Sequence, residues 1–357
     1  MKKLTIALAV AAAAGAAAAQ SSATIFGVAD VAVSHYSSGP RSQTALSSSG
    51  NSNSRLGFRG SEDLGGGMSA SFWLEAPLSL DDGNGSSGFS FSRRSTVSLA
   101  DRWGEIRLGR DYTPTYFNDW FDPFGAVGVG THVVSLQRMS STSPGRMSFT
   151  PTQAANNPTY FRTNNSVGYF LPPNLGGLYG QVQYALDEQS DPGNRQGRYY
   201  GGRIGYRQGP VNVALAAGKV YGANPPTAAA PDVKSINMGG SYDFGPVMVM
   251  GEYSHETYDT AATGNTSKGY TLGVSVPVGV GEIKAAYSNV RVDWPGRPEA
   301  SNVALGYVHN LSKRTALYAT VARIQNKNGA KLSVSSTLQG TMNANSTGYD
   351  LGIRHTF

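Results

Sequence analysis

Tyr349-Asp-Leu-Gly-Ile-Arg-His-Thr-Phe357, at the end of the chain, has the pattern of a β-strand with two different faces. One face carries large side chains, namely Tyr349, Leu351, Ile353, His355 and Phe357. The other face carries small or charged side chains, namely Asp350, Gly352, Arg354 and Thr356. Successive side chains of a strand point to opposite sides of its sheet. The stretch therefore predicts a sheet with lipid or protein on one side and water on the other.

The same alternation recurs along the whole chain. About sixteen segments of roughly 9–11 residues follow it, which is the length of a strand that crosses a membrane at a tilt. The predicted strands lie near 23–33, 54–64, 68–77, 89–100, 104–110, 164–171, 178–186, 199–208, 211–220, 233–244, 247–257, 268–277, 281–290, 301–311, 315–324 and 347–357. Soluble sandwiches also alternate, so a single strand decides nothing. The number of strands favours an all-β fold, a 16-stranded antiparallel transmembrane barrel.

The connections between the predicted strands alternate between short and long. Tight turns include Gly65–Gly67 and Gly209–Pro210, whereas long polar stretches include Ser34–Asn53 and Gln325–Ser346. Bacterial barrels have short periplasmic turns and longer external loops. If both ends of the chain lie on the side of the short turns, the number of strands must be even. Tyrosines recur near strand ends, where the aromatic girdles of a membrane barrel lie.

The N-terminus predicts export. Lys2 and Lys3 precede an apolar stretch, and Ala17-Ala18-Ala19 offers a small-residue cleavage site, so residues 1–19 are interpreted as a signal peptide. The alternative is a transmembrane anchor, but that needs about 20 residues of stronger hydrophobicity. The mature chain, 20–357, is then one barrel domain in the outer membrane of a Gram-negative bacterium.

The composition suits a barrel better than a soluble core. The chain has no cysteine, 45 glycines, 19 tyrosines and only 39% hydrophobic residues, which is little for a packed core of this length. A barrel resolves this, because its faces meet lipid and water. Without Lys2 and Lys3, 27 basic residues face 23 acidic ones, a net charge of +4. The arginines are scattered over separate strands, so no nucleic-acid partner is expected.

Several motifs, in this order, resemble the Gram-negative general porin family and its β-proteobacterial branch. They are Thr24-Ile-Phe-Gly-Val-Ala-Asp30, Ser54-Arg-Leu-Gly-Phe-Arg-Gly-Ser-Glu-Asp-Leu-Gly-Gly-Gly67, Gly104-Glu-Ile-Arg-Leu-Gly-Arg-Asp-Tyr112, Asp122-Pro-Phe-Gly125, Asn164-Asn-Ser-Val-Gly-Tyr169 and the terminal Phe357. The resemblance covers nearly the whole mature chain. It implies a homotrimer with the first and last strands at the interface, and a water-filled lumen narrowed by an infolded third loop. It also implies that Tyr349, Leu351, Ile353 and Phe357 form the signal read by the outer-membrane assembly machinery.

The third loop is the long connection at about 111–163. It is rich in aromatic residues, with Asp119 and Asp122 between them. A connection of this length within a compact fold indicates a functional loop or a wrong assignment. We expect its rings to anchor it against the inner wall while the two carboxylates face the channel; the alternative is an exposed loop that packs on itself. The enteric branch often has Pro-Glu-Phe-Gly where this chain has Asp122-Pro-Phe-Gly125, so the position of the acid is less determined.

The wall opposite this loop is expected to be basic. The family resemblance implies Arg55 as a constriction residue, and the other candidates are Arg93 or Arg94, Arg107 and Arg110, with Arg146 and Arg162 as weaker ones. Family register favours Arg93, whereas strict alternation favours Arg94, and both stay open at this point. Ile106 and Leu108 outside would turn Arg107 inward. Arg203, Arg207, Glu252 and Lys284 are expected to be solvated charges in a polar barrel interior, which is also the alternative for each of these candidates.

These features predict a general diffusion porin for small hydrophilic solutes and ions, with a modest anion preference and no cofactor or metal. Its expected surroundings are outer-membrane lipid and lipopolysaccharide. A substrate-specific channel is the alternative, and a dense aromatic track along the lumen would favour it. A barrel enzyme is a weaker alternative, because the five histidines are dispersed and no G-x-S-x-G or H-E-x-x-H motif occurs. External loops could also serve adhesion.

Overall fold

A computed structural model describes residues 22–83, 90–139, 159–227, 230–261, 264–293 and 295–357. In this part of the chain, strand segments follow one another almost without interruption. They are β1 (Ser22–Ser38), β2 (Arg41–Ser48), β3 (Arg55–Gly65), β4 (Met68–Pro77), β5 (Arg94–Asp101), β6 (Gly104–Tyr112), β7 (Arg162–Phe170), β8 (Leu178–Ala185), β9 (Tyr199–Gln208), β10 (Val211–Val220), β11 (Asp232–Asp243), β12 (Met248–Asp259), β13 (Gly264–Val278), β14 (Gly281–Asp293), β15 (Glu299–Asn310), β16 (Thr315–Lys327) and β17 (Ser346–Thr356).

The strands form one antiparallel sheet that closes on itself. From β3 onward each strand pairs with the next, and β17 returns to β1, with Val28 opposite Thr356. The C-terminal half of β1, Val31–Ser38, pairs with β2, and the N-terminal half, Ser22–Val28, pairs with β3. Strands β2 and β3 therefore occupy one position in the barrel wall, and the closed barrel has 16 strands. The predicted fold class is confirmed, including the antiparallel order.

Strand β2 is the main element that the alternation did not predict. Its sequence, Arg41-Ser-Gln-Thr-Ala-Leu-Ser-Ser48, lies in the polar stretch that was interpreted as an external loop. The break between β2 and β3 has a local cause. The Asp30 carboxylate accepts hydrogen bonds from the backbone amides of Gly50, Asn51 and Ser52 at 3.1, 3.1 and 2.6 Å. This carboxylate holds residues 49–54 in a turn instead of a strand.

The two faces of the barrel have the predicted chemistry. Apolar side chains point outward, for example Ile25, Val97 and Leu351, which are 63%, 62% and 65% exposed. Their neighbours on the inner face are mostly small or polar, as Thr96 and Ser98 are on β5. Tyr253 and Tyr270 are cross-strand neighbours on the outer face and Tyr287 lies 6.0 Å from Tyr270 between ring centroids, as in an aromatic girdle. In the described ranges, no helix is long and apolar enough to span a membrane.

The long connection between β6 and β7 runs inside the barrel, as predicted. It contains a 3-10 helix at Tyr116–Trp120 and a short α-helix, α1, at Val133–Arg138; residues 140–158 lie outside the described ranges. Apolar residues of this loop pack against the inner faces of β14–β16 and against the loop that joins β16 to β17. The cluster includes Val129, Val133, Leu136, Val290, Ile324, Leu332 and Val334. One side of the lumen is thereby filled with protein.

Candidate functional site: the channel constriction

The infolded loop is held along the inner wall by hydrogen bonds to successive strands. Asn118 donates to Asn237 on β11 at 2.9 Å, and the backbone amide of Val133 donates to the Ser288 hydroxyl on β14 at 3.0 Å. Further bonds join Thr271 to Asp122, Asn302 to the Thr131 carbonyl, and the Val129 amide to Asp350. Because these contacts run from β11 to β17, the open passage lies on the side of β3–β9.

Asp119 lies at the centre of the loop's attachment and not on the channel surface. Its side chain is fully buried, and Arg138 Nη1 lies 2.7 Å from its Oδ1. Ser135 and Tyr160 donate hydroxyl hydrogen bonds to its other oxygen. The expectation that this carboxylate faces the channel is wrong. A buried carboxylate needs charged or hydrogen-bonding partners in place of water, and Arg138, Ser135 and Tyr160 are those partners here.

Asp122 is also directed away from the channel. It is 6% exposed and accepts hydrogen bonds from the amides of Phe124 and Gly125 at 2.8 and 3.0 Å, and from Thr271 at 2.7 Å. Burial raises the pKa of the Asp122 carboxyl, while the neighbouring His132 and these hydrogen bonds oppose the rise. Asp122 therefore shapes the Asp122-Pro-Phe-Gly125 turn and fastens it to β13.

Arg138 is the main charged residue of the loop that the sequence did not indicate. Its guanidinium is 2% exposed and reaches Asp119, Glu252 at 3.3 Å and Glu256 at 3.5 Å. Burial alone would lower the pKa of Arg138, but the three carboxylates raise it, so the side chain stays charged. The prediction that Glu252 is a solvated charge is wrong, since it is buried beneath the loop.

Asp119, His132 and Glu252 lie close enough together to be considered as metal ligands. Their candidate ligand atoms are all within 4.8 Å of one another and are buried. Arg138 already contacts two of the three, at 2.7 and 3.3 Å, and supplies the positive charge that these carboxylates require. The geometry is therefore explained by an arginine-centred anchor, and we assign no metal to it.

The predicted basic wall is present on β3–β6, and two of its members meet at Glu75. Arg93 Nε lies 2.6 Å from the Glu75 carboxylate and Arg55 Nε 3.8 Å from the same oxygen. Arg93 also donates to the Tyr112 hydroxyl at 3.1 Å. Glu75 is 5% exposed and lies on the inner face of β4, where the sequence interpretation had not noted it. The Trp73 indole donates a hydrogen bond to the Glu75 carboxylate and further orients it.

A second group lies beside the first, around Asp111. Arg107 Nη1 contacts Asp111 at 2.6 Å and Arg94 Nε lies 3.5 Å from the other oxygen of the same carboxylate. Arg107 also contacts Glu105 at 2.9 Å. Ile106 and Leu108 on either side of Arg107 are 42% and 51% exposed. The predicted inward direction of Arg107 is thus observed.

Arg93 and Arg94 both reach the inner side. Arg94 alternates with Val97 and Leu99 as expected and contacts Thr96 on the inner face at 3.1 Å. Arg93 precedes the first residue of β5, so strand alternation does not constrain it, and its guanidinium turns to Glu75. Both alternatives therefore hold, each for a different reason.

Arg110 differs from the other candidates. In register it lies opposite Ser95, on the Leu108 face of the sheet, and it donates to the Ser92 carbonyl and the Asn164 side chain. It does not join the Glu75 and Asp111 groups. Its position beside the loop was predicted, but its membership of the charged cluster was not correct. The prediction that Arg110 belongs to this cluster is wrong because side chains alternate along β6, so that Arg110 lies on the face opposite to that of Arg107.

The two weaker candidates have separate outcomes. Arg162 lies over the ring of Tyr112, with its guanidinium carbon 4.4 Å from the ring centroid, and donates to the Tyr112 hydroxyl at 2.9 Å. Arg146 lies outside the described residues.

Two further arginines face the passage. Arg59 lies on the inner face of β3, opposite Thr24 in register, over the rings of Phe26 and Trp73. Arg203 on β9 donates to Asn118 at 2.8 Å and so meets the loop directly. Strict alternation from Arg55 would have indicated Arg59. The role of Arg203 depends on where the loop lies, which alternation does not determine.

The charges of the β3–β6 wall can be compared directly. In the ion-pair and ring contacts of this wall, five guanidiniums, those of Arg55, Arg59, Arg93, Arg94 and Arg107, accompany three carboxylates, Glu75, Glu105 and Asp111, a surplus of two positive charges in these groups. Of the loop acids, Asp119 lies instead in the buried anchor with Arg138, and Asp122 is bound to Thr271 on β13. The passage beside this wall is therefore lined by groups that are more basic than acidic.

Comparison with known proteins agrees with this architecture. The profile of the Gram-negative porin family matches residues 5–329. The chain is 41% identical to outer membrane porin protein 32 of Delftia acidovorans, over 100% of both chains. It is 30% identical to an outer membrane porin protein of Bordetella pertussis, over 85% of this chain and 82% of that one. Among solved structures, the anion-selective porin from Comamonas acidovorans superimposes with a TM-score of 0.83 and 38% identity, covering 95% of this chain and 100% of the other.

A closed 16-stranded barrel with an infolded loop and a charged inner wall defines a channel protein of the outer membrane. The chain belongs to the Gram-negative porin family. It is an outer-membrane porin that forms a water-filled channel for small hydrophilic solutes and ions, as the sequence predicted. Family membership points to a channel rather than to an enzyme.

Proposed function

We propose that this porin has a modest preference for anions, set at the constriction between the infolded loop and the β3–β6 wall. The observation that carries the proposal is the separation of charge. Asp119 and Asp122 are buried against the β11–β13 side, whereas Arg55, Arg94 and Arg107 lie on the wall of the passage. The similar porin from Comamonas acidovorans is described as anion-selective, which supports the same reading here.

The physical mechanism is electrostatic. Guanidiniums beside fixed carboxylates produce a local field that orders water and disfavours apolar solutes, and a basic surplus raises the local anion concentration. The Debye length is about 8 Å at physiological salt, so part of this field is screened. The preference is therefore modest and decreases as the salt concentration rises.

The test is the zero-current potential across a planar bilayer in a potassium chloride gradient. We expect an anion-selective sign for the wild type and a shift toward cations in Arg55→Gln with Arg107→Gln. Glu75→Gln should shift the potential the other way. The matched control is Arg102→Gln, because Arg102 lies in an exposed turn with 88% of its side chain accessible. A cation-selective wild type would overturn the charge assignment and leave the porin class intact.

The remaining parts of the proposal concern biogenesis and surroundings. Residues 1–19 act as a cleaved signal peptide, and 20–357 form the barrel domain. The protomer assembles as a homotrimer in outer-membrane lipid and lipopolysaccharide. Tyr349, Leu351, Ile353 and Phe357 are recognised by the barrel assembly machinery; all four lie on the outer face and are exposed, which supports this role. No catalytic activity and no cofactor are proposed.

A further inference from the structure

The loop presents an aromatic surface that its attachment to the wall does not require. Trp120 is 57% exposed, although its neighbour Asp119 is fully buried. Its ring packs against Phe117 with 5.0 Å between centroids, and Tyr112 lies 6.4 Å from it. An exposed indole beside further rings leaves apolar surface in the passage on which the ring of a solute can stack. We call Phe117, Trp120 and Tyr112 the aromatic surface.

The direction of this surface follows from the contacts of the 3-10 helix. Asn118 binds Asn237 on β11, and Asp119 binds Arg138 in the buried anchor. These residues take up the wall side of the helix. Phe117 and Trp120 therefore lie on its other side, toward the passage.

Two guanidiniums flank the aromatic surface. Arg203 lies over Phe117, with its guanidinium carbon 5.6 Å from the ring centroid, and Arg162 lies over Tyr112 at 4.4 Å. Among the residues that the structure describes, no carboxylate lies within 4.0 Å of the nitrogens of either arginine. Both arginines are held by neutral oxygens, those of Asn118, Tyr179 and Tyr112. Their charge is thus available to an anion.

We propose that the aromatic surface and these two arginines form a weak binding subsite for planar aromatic carboxylates in transit. The arene would stack on Trp120 and Phe117, while its carboxylate would meet Arg203 or Arg162. The proposal rests on the proposed anion preference and adds a substrate class to it. Such a subsite would slow aromatic acids only slightly, because a channel must also release its solute.

The experiment compares two monocarboxylates of the same charge and similar size. In planar bilayers at a fixed potassium chloride concentration, sodium benzoate or sodium cyclohexanecarboxylate is added and the half-blocking concentration of the current is measured. We expect benzoate to block at a concentration about three- to tenfold lower, the range of one aromatic pair. Equal half-blocking concentrations for the two acids would overturn the proposal.

Three variants make the test specific. Trp120→Leu should remove the preference for benzoate, whereas Trp120→Phe should keep most of it. Trp103→Leu is the control, because Trp103 is also exposed but lies in the turn between β5 and β6. A Trp120→Leu channel that still prefers benzoate would contradict the assignment. The zero-current potential in potassium chloride alone reports on the anion preference, so failure of that proposal and failure of this one remain distinguishable.

Discussion

Gly27 and Phe357 form the junction where the barrel closes. They exchange two backbone hydrogen bonds of 3.0 and 3.1 Å. A Cβ atom at Gly27 would collide with the Phe357 ring and would lie 2.6 Å from the carbonyl oxygen of Arg55. Since a backbone oxygen cannot move aside cheaply, only glycine leaves space for the ring. The terminal phenylalanine thus has a packing role in addition to its proposed role in assembly.

Replacing Gly27 with Ala should reduce the amount of assembled barrel. The clash should cost about 1–3 kcal/mol of stability, as overpacking usually does. Deleting Phe357 should reduce assembled protein more sharply and leave export across the inner membrane intact. The measurement is the fraction of heat-modifiable protein in the outer membrane. Gly202→Ala is the matched control, because its Cβ would meet its nearest neighbours at 3.4 Å, an ordinary contact. Wild-type assembly of the Gly27 variant would refute the packing argument.

The infolded loop is held by one charged anchor and a series of neutral hydrogen bonds. Arg138 supplies the positive charge for Asp119, Glu252 and Glu256 in a site that water does not reach. Removing one partner from such a group is costly, because the remaining charges stay buried without compensation. The loop's position therefore depends more on Arg138 than on any single neutral contact.

Arg138→Met should loosen the loop. We expect the stability of the folded protein to fall by about 3–5 kcal/mol. The measurements are the temperature at which the oligomer dissociates, which should be lower, and the current fluctuations of single channels, which should be larger. Adding Glu252→Gln should restore part of the loss, since it removes one of the uncompensated carboxylates. Arg198→Met is the control, because the Arg198–Asp187 pair is at the surface, where ion pairs contribute little. Quiet channels with unchanged heat stability in Arg138→Met would show that the anchor is dispensable.

At the scale of the whole molecule, protein and passage occupy different sides of the barrel. The loop, α1 and the apolar cluster fill the side of β11–β17, and the arginines lie on the side of β3–β9. The closing strands β1 and β17 have apolar outer faces: Ile25 and Val33 are 63% and 55% exposed in the isolated chain. Such a surface suits a contact with another protomer.

We expect a heat-modifiable homotrimer, observed by unheated electrophoresis and by light scattering in detergent. Ala29→Trp on the outer face of β1 should shift the protein toward monomer, because a bulky side chain separates two closely packed walls. Ala217→Trp on the outer face of β10 should leave the trimer intact, since lipid accommodates the added ring. Wild-type protein that is only monomeric in both measurements would contradict the trimer.

The amino-acid sequence by itself determined the barrel, its 16 strands and most inner and outer positions, including the inward Arg107. These properties repeat every two residues along each strand, so local alternation records them. The tertiary structure decided what the loop does inside the barrel. It buried Asp119 against Arg138, bound Asp122 to Thr271 on β13, and brought Arg203 to Asn118 and Phe117 from a distant strand. The physical reason is that a loop carries no fixed period, and its side chains take their partners from whichever wall the closed barrel places beside it.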